Sequence, residues 1–83
     1  MKENARLHNE ILGVVNNQLK SDNPKETKLT FKRLIEEGYS EMDAKKLIAQ
    51  CVLSEMYDVI KEGKPFNEKR FIKNLNRLPK EPN

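Results

Sequence analysis

The chain has 83 residues, of which 35% are charged, and its formal net charge is +3. A chain of this length folds as one domain with a modest core, and its mild basic excess does not by itself indicate a nucleic-acid-binding protein. The single cysteine excludes an intramolecular disulfide, the five aromatic residues offer little for base stacking, and no apolar run approaches the roughly 20 residues that span a bilayer.

The first predicted helix covers residues 3–20, because apolar residues recur along it at helical spacing. The only histidine, His8, lies at the edge of this apolar face. It is interpreted either as a rim residue of the core or as a metal ligand or proton-transfer group. A metal site needs three or four ligands and the chain has no second histidine and no cysteine pair, so the rim residue is favoured. Gln18 is predicted to hold the turn that follows.

The second predicted helix covers residues 24–37. Asn23 is a suitable N-cap, Pro24 fits the first helical position, and Gly38 supplies the left-handed residue that ends the helix. The apolar face of this helix is predicted to comprise Thr27, Thr30, Phe31, Leu34 and Ile35.

The third predicted helix covers residues 41–62 and is the longest, at about 33 Å. Ser40 and Asp43 resemble a capping box at its start, and Gly63 ends it. Its predicted core positions are Ala44, Leu47, Ile48, Cys51, Val52, Met56, Val59 and Ile60. Cys51 is interpreted as a small core residue, since a reactive thiol needs exposure and nearby positive charge.

Glu55 interrupts the apolar stripe of the third helix. A buried carboxylate must be paired, hydrogen-bonded or protonated. The candidate partners are His8, Lys45, Arg33 or a group on a second chain, and the alternative is that Glu55 lies at the edge of the stripe where solvent reaches it. We hypothesise that His8 and Glu55 face each other across the bundle and form a functional pair.

The fourth predicted helix covers residues 68–78, after the N-cap Asn67. Phe66 and Phe71 are spaced as a hydrophobic staple. Pro79 ends the helix, and residues 79–83 are expected to fray. The strongest basic cluster of the chain lies here and comprises Lys69, Arg70, Lys73 and Arg77. It is interpreted as a solvated helix face or, alternatively, as a contact for nucleic acid or another polyanion.

These elements predict an all-α fold, a compact four-helix domain covering residues 1–83 and organised around the long third helix. The pattern contains no catalytic constellation, no phosphate-binding loop and no metal-ligand spacing, and no cofactor is expected. We therefore expect a cytoplasmic, non-enzymatic protein-interaction module without membrane contact. Homodimerisation is plausible, with Met42, Met56 and Tyr57 contributing if they point outward. The alternative function is nucleic-acid or ribonucleoprotein association through the basic fourth helix. Metal-dependent activity at His8 and Glu55 is the third hypothesis.

The chain also resembles, over nearly its whole length, a group of short bacterial all-helical proteins of unknown function. Members of the group have a histidine in helix one and then an N-Q-L sequence. A proline and a threonine follow, before a helix that contains R-L and ends in glycine. The pattern finishes with P-F-x-E, a leucine and L-P. The matching positions are His8, Asn17, Gln18, Leu19, Pro24, Thr27, Arg33, Leu34, Gly38, Pro65, Phe66, Glu68, Leu75, Leu78 and Pro79. In this group a Glu is common where this chain has Asn16, which argues against a histidine–carboxylate site within helix one. The resemblance implies a bacterial origin and an all-helical fold, and it brings no activity.

Overall fold

A computed structural model describes the backbone of residues 2–21 and 24–80 and the side chains of residues 9–21 and 24–80. These residues form four α-helices and no strand: α1 is Lys2–Ser21, α2 is Lys25–Glu36, α3 is Glu41–Glu62 and α4 is Glu68–Arg77. The prediction of an all-α fold with the third helix longest is confirmed, and α3 has the predicted bounds. The predictions for the His8 side chain, for Asn23 and for residues 81–83 lie outside the described residues.

The helix ends follow the local chemistry of the sequence. At the start of α3 the Ser40 hydroxyl accepts a hydrogen bond from the Asp43 backbone N–H at 3.1 Å. Gly38 and Gly63 follow α2 and α3 with φ of 103° and 66°, a region that side chains with a Cβ rarely adopt. The N-cap of α2 is Pro24, so this helix begins one residue later than predicted.

The four helices pack around α3, which contacts each of the other three. α2 also contacts each of the others, whereas α1 and α4 do not contact each other within the described residues. The radius of gyration is 12.3 Å, close to the value of about 12 Å expected for a compact chain of this length. Among the described residues, none of the other three helices covers the side of α3 that carries Leu53, Tyr57 and Ile60.

The core contains apolar residues from all four helices. It comprises Ile11, Val15, Leu34, Ala44, Ile48, Ala49, Cys51, Val52, Phe71, Leu75 and Leu78. Most of the predicted core positions are buried or half-buried, but Ile60 is 78% exposed, so its assignment to the core is wrong. The reason is angular, because Ile60 follows the buried Glu55 by five positions and this places it about 140° around the helix.

The turn between α1 and α2 is held by a polar contact. The hydroxyl of Thr27, which is fully buried, donates a hydrogen bond to the side-chain oxygen of Gln18 at 2.9 Å. This contact confirms that Gln18 lies where α1 meets the start of α2. It also satisfies a hydroxyl that would otherwise be costly to bury.

Candidate functional site

The most unusual group in the core is the carboxylate of Glu55, which is fully buried. Arg70, at the beginning of α4, binds it with two parallel hydrogen bonds. Its Nε lies 2.6 Å from Oε2 and its Nη2 lies 3.1 Å from Oε1. The backbone N–H of Asn67 also donates to Oε1 at 3.1 Å. The prediction that solvent reaches Glu55 at the edge of the stripe is therefore wrong.

Arg70 is shared between two carboxylates of α3. Its Nη2 also lies 2.5 Å from Oδ2 of Asp58, one turn after Glu55. The hydrogen bond to Glu55, reinforced by the charges of Glu55 and Asp58, raises the pKa of the Arg70 guanidinium above its usual value. The bidentate geometry is one that arginine provides and lysine does not. The cluster attaches the start of α4 to the middle of α3.

The chain at the start of α4 is shaped so that Arg70 points back toward α3. The Asn67 side chain accepts a hydrogen bond from the Arg70 backbone N–H at 3.0 Å, as predicted for an N-cap. The rings of Phe66 and Phe71 meet edge to face, with centroids 5.4 Å apart, which confirms the predicted staple. A negative charge beside the N-terminus of a helix is also favourable to its dipole. The Glu55 carboxylate lies there.

The other end of α4 is held by Arg33 of α2. The Nη1 atom of Arg33 donates to the carbonyl oxygen of Leu78 at 3.0 Å, and its Nη2 donates to that of Leu75 at 3.1 Å. Arg33 also forms an ion pair with Glu37 at 2.9 Å. The Leu75 carbonyl also accepts a hydrogen bond from the Leu78 backbone N–H at 3.2 Å, so the guanidinium is its second donor, whereas the Leu78 carbonyl lies beyond the last turn of α4 and has no partner within the helix.

The predicted partners of Glu55 are therefore corrected in part. Arg33 is bound to α4, and Lys45 forms none of the described contacts with Glu55. Arg70 was not predicted as a partner of Glu55, because it was assigned to the basic surface of α4. Two features of the sequence could have indicated the pairing: Arg70 is an arginine among lysines at the third position of α4, and the preceding helix carries an acidic residue within its apolar stripe. The pairing of Glu55 with His8 stays a prediction, because the His8 side chain is outside the described residues.

The members of the basic cluster of α4 differ in their exposure and in their contacts. Lys69 and Lys73 are exposed and lie one helical turn apart, and Arg77 is half-buried. Arg70, one of the two arginines in the cluster, is 37% exposed and already bound to two carboxylates. The cluster therefore presents fewer free cations than the sequence indicated.

Apolar side chains cover the side of α3 that no other helix covers. We call this surface the α3 outer face; its large apolar members and their exposed fractions are Met42 52%, Leu53 42%, Tyr57 59% and Ile60 78%. Lys61 borders it, with Nζ 3.2 Å from the Tyr57 hydroxyl and 5.2 Å from the centre of the ring. Met42 and Tyr57 point outward, as the homodimer hypothesis required, whereas Met56 is half-buried against the core.

Cys51 is fully buried on α3, one helical turn before Glu55. Burial, reinforced by the negative charge of Glu55, raises the pKa of its thiol from 9.0 to about 12. The thiol is therefore protonated at neutral pH, and only the thiolate is a good nucleophile. This agrees with the interpretation of Cys51 as a core residue.

Metal sites, grooves and membrane spans are the other features that could carry a function. No three histidine, cysteine or carboxylate side chains among the described residues lie close enough together to hold a metal ion. An open groove of about 190 Å³ lies between α2 and α4 and is lined by Glu26, Leu29, Thr30, Arg33 and Asn76. Within the described ranges, no helix combines the length and the apolar character required to cross a bilayer.

Comparison with known proteins adds no further information about the site. No family model, no curated protein and no solved structure matches this chain. The features of the described residues that can carry a function are the α3 outer face, the basic residues of α4 and the polar cluster at Glu55.

Proposed function

We propose that the chain is a small, non-enzymatic protein-interaction module that docks through the α3 outer face. The observation that carries this proposal is the exposure of Leu53, Tyr57 and Ile60, which lie at positions i, i+4 and i+7 of one helix. Single exposed apolar residues are normal on protein surfaces, but a contiguous patch favours a contact site.

The free energy gained by burying apolar side chains also favours docking through the α3 outer face. Burying one large apolar side chain gains about 1.5–3 kcal/mol, and the most exposed of these residues, Ile60, gains little of this kind in the isolated chain. Aromatic residues and methionine are enriched in contact surfaces, and the α3 outer face contains Tyr57 and Met42. The polar cluster at Glu55 has a positioning role, since it attaches α4 to the opposite side of α3.

The test compares the captured partners of two charge substitutions. Ile60→Lys places a charge on the α3 outer face, and Leu29→Lys is the matched control, because Leu29 is 61% exposed on α2. Tagged wild type and both variants are incubated with a bacterial lysate, and circular dichroism establishes that all three are folded. We expect proteins that wild type and the Leu29 variant retain to be lost from the Ile60 variant. Equal capture by all three chains would overturn the proposal.

Association with nucleic acid through α4 is the second candidate. The observation that favours it is the adjacent exposure of Lys69 and Lys73. It has less support than docking through α3, because the two carboxylates that bind Arg70 already neutralise that cation. The salt dependence of RNA binding tests it.

A further inference from the structure

We propose that the partner of the α3 outer face is a second copy of this chain, packed with its α3 antiparallel to the first. This inference rests on the proposed function, because it names the occupant of the same surface. The support for it is the order of charged and apolar side chains along α3.

The exposed side chains of α3 follow the spacing of a helix-pairing seam. Residues 43, 46, 50, 53, 57 and 60 alternate steps of three and four, and all of them are exposed. A seam of this kind keeps facing one partner helix along its length. It extends over about 25 Å of helix. Its apolar members lie in the C-terminal half, and Met42 borders its N-terminal end.

One antiparallel register covers every large apolar residue of this face. In it, Met42 lies next to Ile60 of the second copy. Leu53 then lies near the two-fold axis, opposite Gln50 of the second copy. The same register places the aliphatic stem of Lys46 beside Tyr57 of the second copy, where it can cover part of the ring. Two identical surfaces related by a two-fold axis meet in this way without forming an open chain.

Charge complementarity selects the antiparallel direction. Asp43, the first member of the seam, is exposed in the first turn of α3, and Lys61 is exposed in the last turn; both lie at the same edge of the seam. The register above brings Asp43 near Lys61 of the second copy at both ends of the interface. A parallel pair would instead place both Asp43 residues at one end of the interface and both Lys61 residues at the other, so no opposite charges would pair. The helix dipoles also oppose each other only in the antiparallel pair.

The decisive experiment uses sedimentation equilibrium of the purified full chain from about 10 μM to about 1 mM, a range suited to a weak dimer. We expect wild type to dimerise, Ile60→Lys to be monomeric, and Leu29→Lys to resemble wild type. Asp43→Lys and Lys61→Asp should each weaken association by about tenfold, since each turns two attractive pairs into repulsive ones. The double variant D43K/K61D should restore dimerisation, because the two exchanged charges again attract each other across the interface.

The outcomes separate this inference from the proposed function. A wild-type chain that is monomeric throughout overturns the homodimer. If the Ile60 variant still loses captured proteins from a lysate, the proposed function stands with a different partner. A dimer that Ile60→Lys weakens but that D43K/K61D fails to restore overturns the antiparallel register. A dimer indifferent to Ile60→Lys overturns the inference, because the two copies then meet through another surface, and the lysate comparison alone decides the proposed function.

Discussion

The buried thiol of Cys51 makes the folding stability of the chain depend on pH. Its pKa is raised from 9.0 to about 12, first by burial and second by the charge of Glu55. Above pH 9 the unfolded chain releases the thiol proton while the folded chain retains it. Folding stability contributed by this group is therefore fully present below pH 9 and is lost as the pH rises toward 12.

Chemical denaturation of wild type and Cys51→Ala at several pH values tests this linkage. The free energy of unfolding of wild type relative to the variant should fall above pH 9, with a slope approaching about 1.4 kcal/mol per pH unit. All ionisable groups other than Cys51 are common to the two proteins, so their contribution cancels in the difference. Parallel curves between pH 9 and pH 11 would contradict the burial of an un-ionised thiol.

At the scale of the element, α4 is a short helix whose position depends on charged groups from other helices. Glu55 binds the start of the helix through Arg70 and Asn67, and Arg33 binds the carbonyl groups at its end. A helix of 10 residues is marginal alone, so these contacts and the packing of Phe71 fix it.

Glu55→Gln is predicted to loosen the start of α4. The amide keeps the shape of the side chain but removes the charge, and its NH₂ group can face the N–H donors of Arg70. Breaking a buried ion pair costs about 3–5 kcal/mol, and we expect about 2–3 kcal/mol here, because Arg70 is 37% exposed and screened by solvent. Urea denaturation measures the loss, and hydrogen exchange should show faster opening of the first turn of α4.

The matched control for this substitution is Glu62→Gln. Glu62 is an exposed carboxylate on the same helix, paired with Lys64 at 2.9 Å. A surface change of this kind usually leaves the free energy of unfolding nearly unaltered. If the two variants lost the same small amount of stability, the Glu55 pair would not be what positions α4.

The elements and their ends could be predicted from the sequence because their determinants are local. Ser40 and Asn67 bind backbone groups three residues away, and Gly63 ends α3 by its own conformation. The pairing of Glu55 with Arg70 was not predictable in this way. It joins groups 15 residues apart, and whether the arginine faces solvent or α3 depends on how α4 docks. The exposure of Ile60, by contrast, follows from helical spacing, because five positions from the buried Glu55 turn this residue about 140° around the helix.

At the scale of the whole molecule, the net charge of +3 sets a limit on binding to nucleic acid. The cations of α4 that remain outside the Glu55 cluster are Lys69, Lys73 and Arg77. Each phosphate contact with a single strand adds about −0.7 to the slope of log K against log salt concentration, so three contacts give a slope of about −2. Specific sites usually use many more contacts.

Fluorescence anisotropy with a labelled single-stranded RNA, measured across a salt series, tests this limit. We expect binding only at low ionic strength, with a slope no steeper than about −2 and no saturable complex near 0.15 M salt. The double substitution Lys69→Gln and Lys73→Gln should remove most of that slope. The equivalent change at Lys28 and Lys32 on α2, which are also exposed and one helical turn apart, is the control and should leave the slope unaltered. Submicromolar binding at 0.15 M salt, with a slope steeper than about −4, would contradict this limit. Such a slope requires the release of more counterions than three cations on one helix can displace. Nucleic-acid association would then be the primary function.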